Sequence, residues 1–384
     1  MSASLPVLGA SWRLPLGQVV SLSRQAVSRW GKLAVIVAAW GWLTATVAIL
    51  AWLSSIWLSV KGSLNNQMDS GAFLNAAHAW PFLYSSSPAT FLSPPLVALV
   101  SLPFLHVPLS FEPLAWRLAL VLALVLAWKL AELKHSPRLW LLVLLGNPIT
   151  LFTLTQGQIT PFALLGLSAS AWFWRRGRLL EAGIILALAA QTKPTLFIAL
   201  PLALLAANQA RLLFGLVIGT LGICLLYTLL LGPSWLPGFI GATVSDHQNL
   251  LSAESNTVAS LGILAWVFRI AILVLVPLVA WRQRSRPNVA IIVALVGSLV
   301  LTPYLHQEDL LVVFMIAWLF ARTHGPHLAA FICATGLLAA FFFSPPLMLT
   351  WEFGVILLAT QPWRPRPLPL LSPRLLVAPA PGQT

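Results

Sequence analysis

Apolar runs recur along the whole chain and are separated by short polar or basic turns. A helix needs roughly 20 apolar residues to cross a hydrocarbon core of about 30 Å. We predict about twelve membrane spans, several of them short, at residues 33–58, 114–133, 138–155, 159–174, 179–192, 194–207, 211–231, 257–281, 288–305, 308–321, 327–343 and 346–361. The pattern predicts an all-α polytopic membrane protein.

One further apolar segment, residues 94–110 (PPLVALVSLPFLHVPLS), contains four prolines. We interpret it as a re-entrant or interfacial piece that does not cross the membrane. Irregular backbone is tolerated at membrane depth where protein or a cavity surrounds it.

Composition supports a membrane protein and argues against a nucleic-acid-binding one. The chain is 59% hydrophobic and 8% charged, whereas soluble domains carry about 25% charged residues. The net charge of +13 comes from Lys and Arg in short turns, as the positive-inside rule requires, so we expect no nucleic-acid partner. Cys224 and Cys333 lie inside apolar runs without metal-ligand spacing, which favours buried thiols.

The distribution of basic residues predicts the topology. If the N-terminus is cytoplasmic and 94–110 does not cross, 17 of the 22 Lys and Arg residues fall on one side. The bias would collapse if 94–110 crossed. We therefore predict a multi-pass protein of the plasma (inner) membrane with both termini cytoplasmic and the first span an uncleaved anchor.

This topology divides the chain into three parts. We predict a cytoplasmic N-terminal segment (1–32), a transmembrane domain (33–361) with outer loops at 61–93 and 232–256, and a proline-rich cytoplasmic tail (362–384). The outer loops are rich in Ser and Asn, each contains a Gln and a Trp, and the first contains a Tyr. This composition suits a polyhydroxylated ligand, although a merely solvated loop would also be polar. Six of the nine acids fall outside: Asp69, Glu112, Asp246, Glu254, Glu308 and Asp309.

Three cations lie near the predicted outer ends of spans. Lys193, in QTKPTLF, violates the positive-inside bias; it is either a phosphate-binding ammonium or a snorkelling surface lysine. Arg117 and His306 complete the set. His306, in LTPYLHQEDLL, is either part of a site with the neighbouring acids or a residue that caps a helix end.

Gln156 and Gln158 flank Gly157 in LTQGQITPF. The glycine permits a tight turn. The two amides can hydrogen-bond sugar hydroxyls, and they can equally cap the adjacent helix ends.

Several of these motifs, in this order, resemble glycosyltransferase family 87, whose members are integral-membrane enzymes of the C-type (GT-C) fold. The resemblance covers roughly residues 35–320. It rests on the acid in NNQMDSGAF, the proline pair in FLSPPLVALVSLPF, NPITLFTLTQGQ, RRGRLLEAGIILALAAQTKPTLF and TPYLHQEDLL. Where the family has a tyrosine before the proline pair, this chain has Phe91-Leu92-Ser93, and Tyr84 is the candidate replacement.

The resemblance implies a fold and an activity. Such enzymes transfer a sugar, commonly mannose, from a polyprenyl-phosphate donor in the outer leaflet to a glycan or glycolipid acceptor. Asp69 matches the family's catalytic acid, and Lys193, Gln158, His306 and Asp309 match motif positions. We add Arg117 to Lys193 and His306 as candidates for the donor phosphate. The candidates for substrate binding are Gln158, Gln156, Tyr84, Asp309 and Asp246.

The expected mechanism is an inverting single displacement. Asp69 would accept the acceptor's hydroxyl proton, and the phosphate leaving group would need charge stabilisation. We expect no obligatory metal, because no acid–x–acid pair or His-rich cluster falls on the predicted outer side. We also expect no cofactor.

Two alternative functions compete with this one. Twelve spans also suit a transporter or a flippase for lipids or lipid-linked sugars, although we find no two-fold internal repeat with paired broken helices. The second alternative is a structural membrane subunit that catalyses no reaction.

Overall fold

The computed structural model describes residues 69–84, 93–133, 137–253, 261–302, 307–342 and 345–361. All regular elements within these ranges are helices. The α-helices are α1 Asp69–His78, α2 Pro95–Ser101, α3 Glu112–Ala131, α4 Pro137–Gly146, α5 Pro148–Gln156, α6 Thr160–Arg175, α7 Leu179–Thr192, α8 Leu200–Ala206, α9 Ala210–Leu231, α10 Trp235–Ala253, α11 Ile263–Arg282, α12 Pro287–Leu301, α13 Val312–Thr323, α14 Pro326–Phe342 and α15 Pro345–Thr360. Short 3₁₀ helices span Leu102–His106, Pro194–Phe197 and Gln307–Leu311.

Three of the described helices, α3, α9 and α11, are long and apolar enough to cross a membrane. The pair α4 and α5 would be a fourth span if the two are counted together. The other predicted spans that the structure describes correspond to shorter apolar helices. The first predicted span, 33–58, lies outside the described residues, so the number of twelve stays a prediction.

The predicted span 138–155 is broken near its middle. Helices α4 and α5 meet at an angle of 54°. Asn147 between them is extended (φ −86°, ψ 151°), and its side chain accepts a hydrogen bond from the Thr150 N–H. Pro148 has no N–H to continue α4, so Asn147 ends one helix and caps the next.

The proline-rich segment 94–110 forms α2, of 7 residues, followed by a 3₁₀ helix of 5 residues. Together they are shorter than the roughly 20 residues that a crossing helix needs.

Both predicted outer loops contain helices. Residues 69–78 form α1, and residues 235–253 form α10. Pro237 falls in the first turn of α10, where its missing N–H costs no helical hydrogen bond. Polar composition therefore did not predict the helical conformation of these two segments.

The centre of the bundle is formed by α12 and α13, whose residues 289–300 and 312–320 are buried on all sides. A helix that is apolar all round is expected in such a position. The 3₁₀ helix Gln307–Leu311 leads directly into α13 and carries Asp309 into the protein interior.

Helices α7 and α9 approach closely through glycine. A Cβ atom on Gly183 would lie 2.2 Å from the carbonyl oxygen of Leu212, and one on Gly215 would lie 2.2 Å from that of Leu180. Small residues allow such backbone contact between membrane helices. Because Lys193 directly follows α7, this packing also fixes the position of Lys193.

Candidate functional site

The structure brings together three of the predicted site residues. The Lys193 ammonium lies 2.5 Å from Asp309 Oδ1 and 3.5 Å from the side-chain oxygen of Gln158. The Lys193 and Asp309 side chains are only 11% and 1% exposed, and Gln158 is also buried. A buried ion pair of this kind requires close geometry and extra hydrogen bonds to offset its desolvation, and Gln158 supplies one of them.

Three separate elements supply this group. Lys193 follows the last residue of α7, Asp309 lies in the 3₁₀ helix Gln307–Leu311, and Gln158 lies in the turn between α5 and α6. Prolines open the segments after Lys193 and after Thr160. The chain is therefore non-helical immediately after the end of α7 and after the end of α5, where the polar side chains meet.

The turn at Gly157 is a left-handed helix cap. Gly157 has φ +72°, and both its N–H and that of Gln158 bond to the Thr153 carbonyl. Only glycine adopts this conformation without strain. The tight turn that Gly157 predicts is confirmed, and it places Gln158 just before α6.

Helix α1 begins directly against this turn. A Cβ atom on Gly157 would lie 2.5 Å from the Cβ of Ser70, which is itself buried. Asp69 is the neighbour of Ser70 and the first residue of α1. The backbone of Asp69 thus lies beside the turn that carries Gln158, although the contacts of its side chain lie outside the described part of the structure.

Trp116 ties α3 to the same turn. Its indole N–H donates to the Gly157 carbonyl at 2.7 Å. Its ring contacts those of Phe73 in α1, Phe104 in the 3₁₀ helix and Phe162 in α6. One buried side chain therefore connects four elements around the turn.

Arg117 supports the turn from the preceding residue. Its side chain is 2% exposed, and one terminal nitrogen donates to the Thr155 carbonyl at 3.2 Å. This contact holds the end of α5 in place. A direct contact of Arg117 with the donor phosphate stays a prediction.

The far end of α1 is also attached to α3. His78 Nε2 lies 3.5 Å from Glu112 Oε2, and the Glu112 carboxylate is buried. Ser70 at its first turn and His78 at its last residue therefore both fix α1 against the bundle.

Tyr84 belongs to a second cluster around the proline pair. Its hydroxyl donates to the Ser93 carbonyl at 2.7 Å, and its ring contacts Phe239 of α10. The Tyr227 hydroxyl accepts from the Leu96 N–H at 3.0 Å. Burial raises the pKa of Tyr84, so its phenol stays protonated and can donate. Substrate contact by Tyr84 remains untested.

The remaining predicted residues are described incompletely. Gln156 is half-buried at the end of α5, and the backbone of Asp246 lies in α10. The side chain of Asp246 is outside the described part, and His306 lies outside the described residues altogether.

Sequence reasoning missed Trp116 and Ser70. A tryptophan next to an arginine at the start of an apolar helix was the available signal for Trp116. No pattern in the sequence distinguishes Ser70. It matters because it packs directly against Gly157, a contact that is possible only because Gly157 has no side chain.

The arrangement brings a paired ammonium, an amide and the start of an acid-bearing helix together at one point. A held ammonium offers a point charge, an adjacent amide offers hydrogen bonds, and a carboxylate-bearing helix begins alongside. In comparisons with known proteins, the model of glycosyltransferase family 87 matches residues 91–345, about two thirds of the chain. The match includes Arg117, Gln158, Lys193 and Asp309 but not Asp69. No curated protein and no solved structure matched the chain.

Proposed function

The chain belongs to glycosyltransferase family 87, and we propose that it transfers mannose from a polyprenyl-phosphate donor to a glycan or glycolipid acceptor. The reaction would take place at the extracytoplasmic face of the plasma membrane. Family membership favours this enzyme over the transporter and flippase alternatives.

The observation that carries the proposal is the buried group of Lys193, Asp309 and Gln158 beside the start of α1. The leaving group of the reaction is already a phosphate ester anion, so it needs positive charge more than a proton. Lys193 supplies this charge, and Asp309 and Gln158 hold its ammonium in place. A group fixed in this way loses little freedom when the phosphate arrives.

Asp69 is the proposed general base. It would accept the proton of the acceptor hydroxyl while that oxygen attacks the anomeric carbon opposite the phosphate, which gives inversion. The contact of Ser70 with Gly157 supports this role, because it sets the start of α1 beside Gln158. The His78–Glu112 pair holds the other end of the helix.

The charge at the two ends of α7 supports an extracytoplasmic site. Arg178 precedes this 14-residue helix and Lys193 follows it, so a rise of 1.5 Å per residue separates the two ends by about 20 Å. Arg175 and Arg176 lie near Arg178, whereas the acids Glu308 and Asp309 lie near Lys193. Basic residues accumulate on the cytoplasmic side, which favours placing the Arg178 end of α7 in the cytoplasm and the Lys193 end at the extracytoplasmic face.

A direct test measures transfer by the purified protein from polyprenyl-phosphate mannose and, in parallel, from a nucleotide sugar. We expect product only from the lipid-linked donor. Replacing Lys193 with alanine should raise the KM for that donor or lower kcat. The matched variant Lys129→Ala should leave both unchanged, because Lys129 lies in the last turn of α3, far from Trp116 and Arg117 at its beginning. Unchanged donor kinetics in Lys193→Ala, or transfer from the nucleotide sugar, would contradict the proposal.

A further inference from the structure

A cluster of arginines lies at the end of the bundle opposite the candidate site. Arg175, Arg176 and Arg322, which we call the arginine cluster, surround the single carboxylate of Glu132. Their nitrogens lie 3.3, 3.0 and 3.9 Å from its oxygens. Arg175 and Arg322 also donate to the last carbonyl groups of α3, at Leu130 and Ala131, and Arg322 donates to that of Glu132, which follows the helix.

The arginine cluster keeps a net positive charge after these contacts are counted. Three guanidiniums share one carboxylate, which leaves an excess of two charges that the partial charge at the end of α3 reduces only in part. Arg178 does not alter the balance, because it pairs with Glu181 at 3.0 Å. The hydrogen bond from Arg176 lowers the pKa of Glu132, so the carboxylate is ionised and cannot gain further charge. The cluster therefore carries positive charge that a further anion can neutralise.

A small cavity lies beneath the cluster, between α3, α6 and α13. Arg175, Arg322 and Trp318 line it together with apolar side chains. Arg175 Nε and Trp318 Nε1 are buried and have no hydrogen-bond partner among the described residues. Buried donors of this kind are normally satisfied, so Arg175 and Trp318 leave two donors unused beside the excess charge of the cluster.

The surroundings resemble the headgroup layer of a membrane. The Arg176 guanidinium stacks on the ring of Trp172 at 3.7 Å, and tryptophan prefers this layer. Leu139 and Leu180, at the beginnings of α4 and α7, are exposed apolar side chains. A ligand here would meet charge at one end and hydrocarbon at the other.

We propose that the arginine cluster binds the phosphate of an anionic glycerophospholipid, such as phosphatidylglycerol. The phosphate would lie at Arg176 and Arg322, with the acyl chains along the apolar helices. Basic pockets between membrane helices bind acidic headgroups in this way. The site is independent of the proposed transfer reaction, since α7 separates it from Lys193.

Native mass spectrometry of the full-length protein tests the site with phosphatidylglycerol, phosphatidylcholine and inorganic phosphate as probes. We expect phosphatidylglycerol to bind and the other two not to. Arg176→Gln should weaken that binding at least about fivefold, the size expected for one guanidinium at a charged lipid surface. Arg176 is 43% exposed, so this variant should fold, and Arg322→Gln provides a second one.

Arg284→Gln is the matched control, because Arg284 is also an exposed arginine and lies in the turn between α11 and α12. It should bind phosphatidylglycerol as the wild type does. Equal weakening in Arg176→Gln and Arg284→Gln, or no weakening in either, would overturn the proposal. Competition by inorganic phosphate at the same concentration would indicate a site for soluble anions and would also overturn it.

Discussion

The ammonium of Lys193 and the carboxylate of Asp309 form a buried ion pair of 2.5 Å that joins the end of α7 to the beginning of α13. Gln158 adds the α5–α6 turn to the same group. Three segments that are distant in the sequence therefore meet at one polar point inside an apolar bundle. We expect the stability of this region and the proposed chemistry to depend on that meeting.

The first prediction concerns the ion pair itself. Lys193→Met and Asp309→Leu should each destabilise the protein, by about 3–5 kcal/mol, because each leaves a buried charge without its partner. The double variant should be more stable than either single variant. Thermal unfolding of the wild type, the two single variants and the double variant in the same detergent measures the coupling energy between Lys193 and Asp309. Additive losses in the double variant would show that the two charges do not depend on each other.

The second prediction concerns the contact between α1 and Gly157. Gly157→Ala places a methyl group 2.5 Å from the Cβ of Ser70, so it should displace α1 and reduce sugar transfer. Gly177→Ala is the matched control: Gly177 also has positive φ (+75°), but nothing lies within 4 Å of its Cβ position. Both variants carry the backbone strain, of order 1 kcal/mol, and only Gly157→Ala adds the clash.

Removing the opposing side chain extends that test. Ser70→Gly in the Gly157→Ala background should restore part of the lost transfer, because it removes the atom that the new methyl group meets. Equal transfer by Gly157→Ala and Gly177→Ala, or no rescue by Ser70→Gly, would show that the close contact does not position α1.

The third prediction uses two tryptophans of α3. Trp116→Phe keeps an aromatic ring but removes the hydrogen bond to the Gly157 carbonyl, worth about 1 kcal/mol net. Trp128→Phe removes a similar bond of 2.7 Å, to the Pro137 carbonyl, at the other end of the helix. Both should lower thermal stability slightly, and only Trp116→Phe should also lower kcat. A loss of kcat in both variants would mean that general destabilisation explains the effect.

The sequence selected three candidate residues that the structure brings together, but it did not predict their arrangement. Lys193 was found because a cation at an outer helix end contradicts the charge bias of the chain. Gln158 was found because Gly157 beside it predicts a turn. The pairing of Lys193 with Asp309 was not predictable, since it depends on how α7 and α13 pack across the bundle.

The fold was predicted in its class and in most helix positions, because apolar runs between basic turns specify membrane helices. The break in 138–155 was missed although Asn147-Pro148 is a turn signal; the apolar residues around it dominated the interpretation. Arg117 was predicted at an outer helix end, but its burial against Thr155 required tertiary contacts. The helix at 235–253 was missed because polar composition does not distinguish an exposed helix from a loop.

The fourth prediction addresses the membrane topology. The excess of basic residues on one side predicts that both termini are cytoplasmic. Single cysteines placed near Ser4 and Pro381, in a variant without Cys224 and Cys333, should react with a membrane-impermeant reagent only after the membrane is opened. Labelling of either position in intact cells would contradict this topology and, with it, the extracytoplasmic site.

The central claim is that Asp69 is the general base. An alternative is that Asp69, as the first residue of α1, only caps that helix, a common role of aspartate. Asparagine separates the two roles: it caps a helix about as well as aspartate, but it cannot accept a proton at neutral pH.

The most direct test is therefore sugar transfer from a polyprenyl-phosphate donor by purified Asp69→Asn protein, compared with wild type at equal thermal stability and equal donor binding. We predict a loss of transfer of at least about a hundredfold, the usual contribution of a general base. Donor binding should persist, since the proposed phosphate contact is Lys193. Near-normal transfer by Asp69→Asn would contradict the account and would assign the proton transfer to another acid, with Asp246, Glu308 and Asp309 as the next candidates.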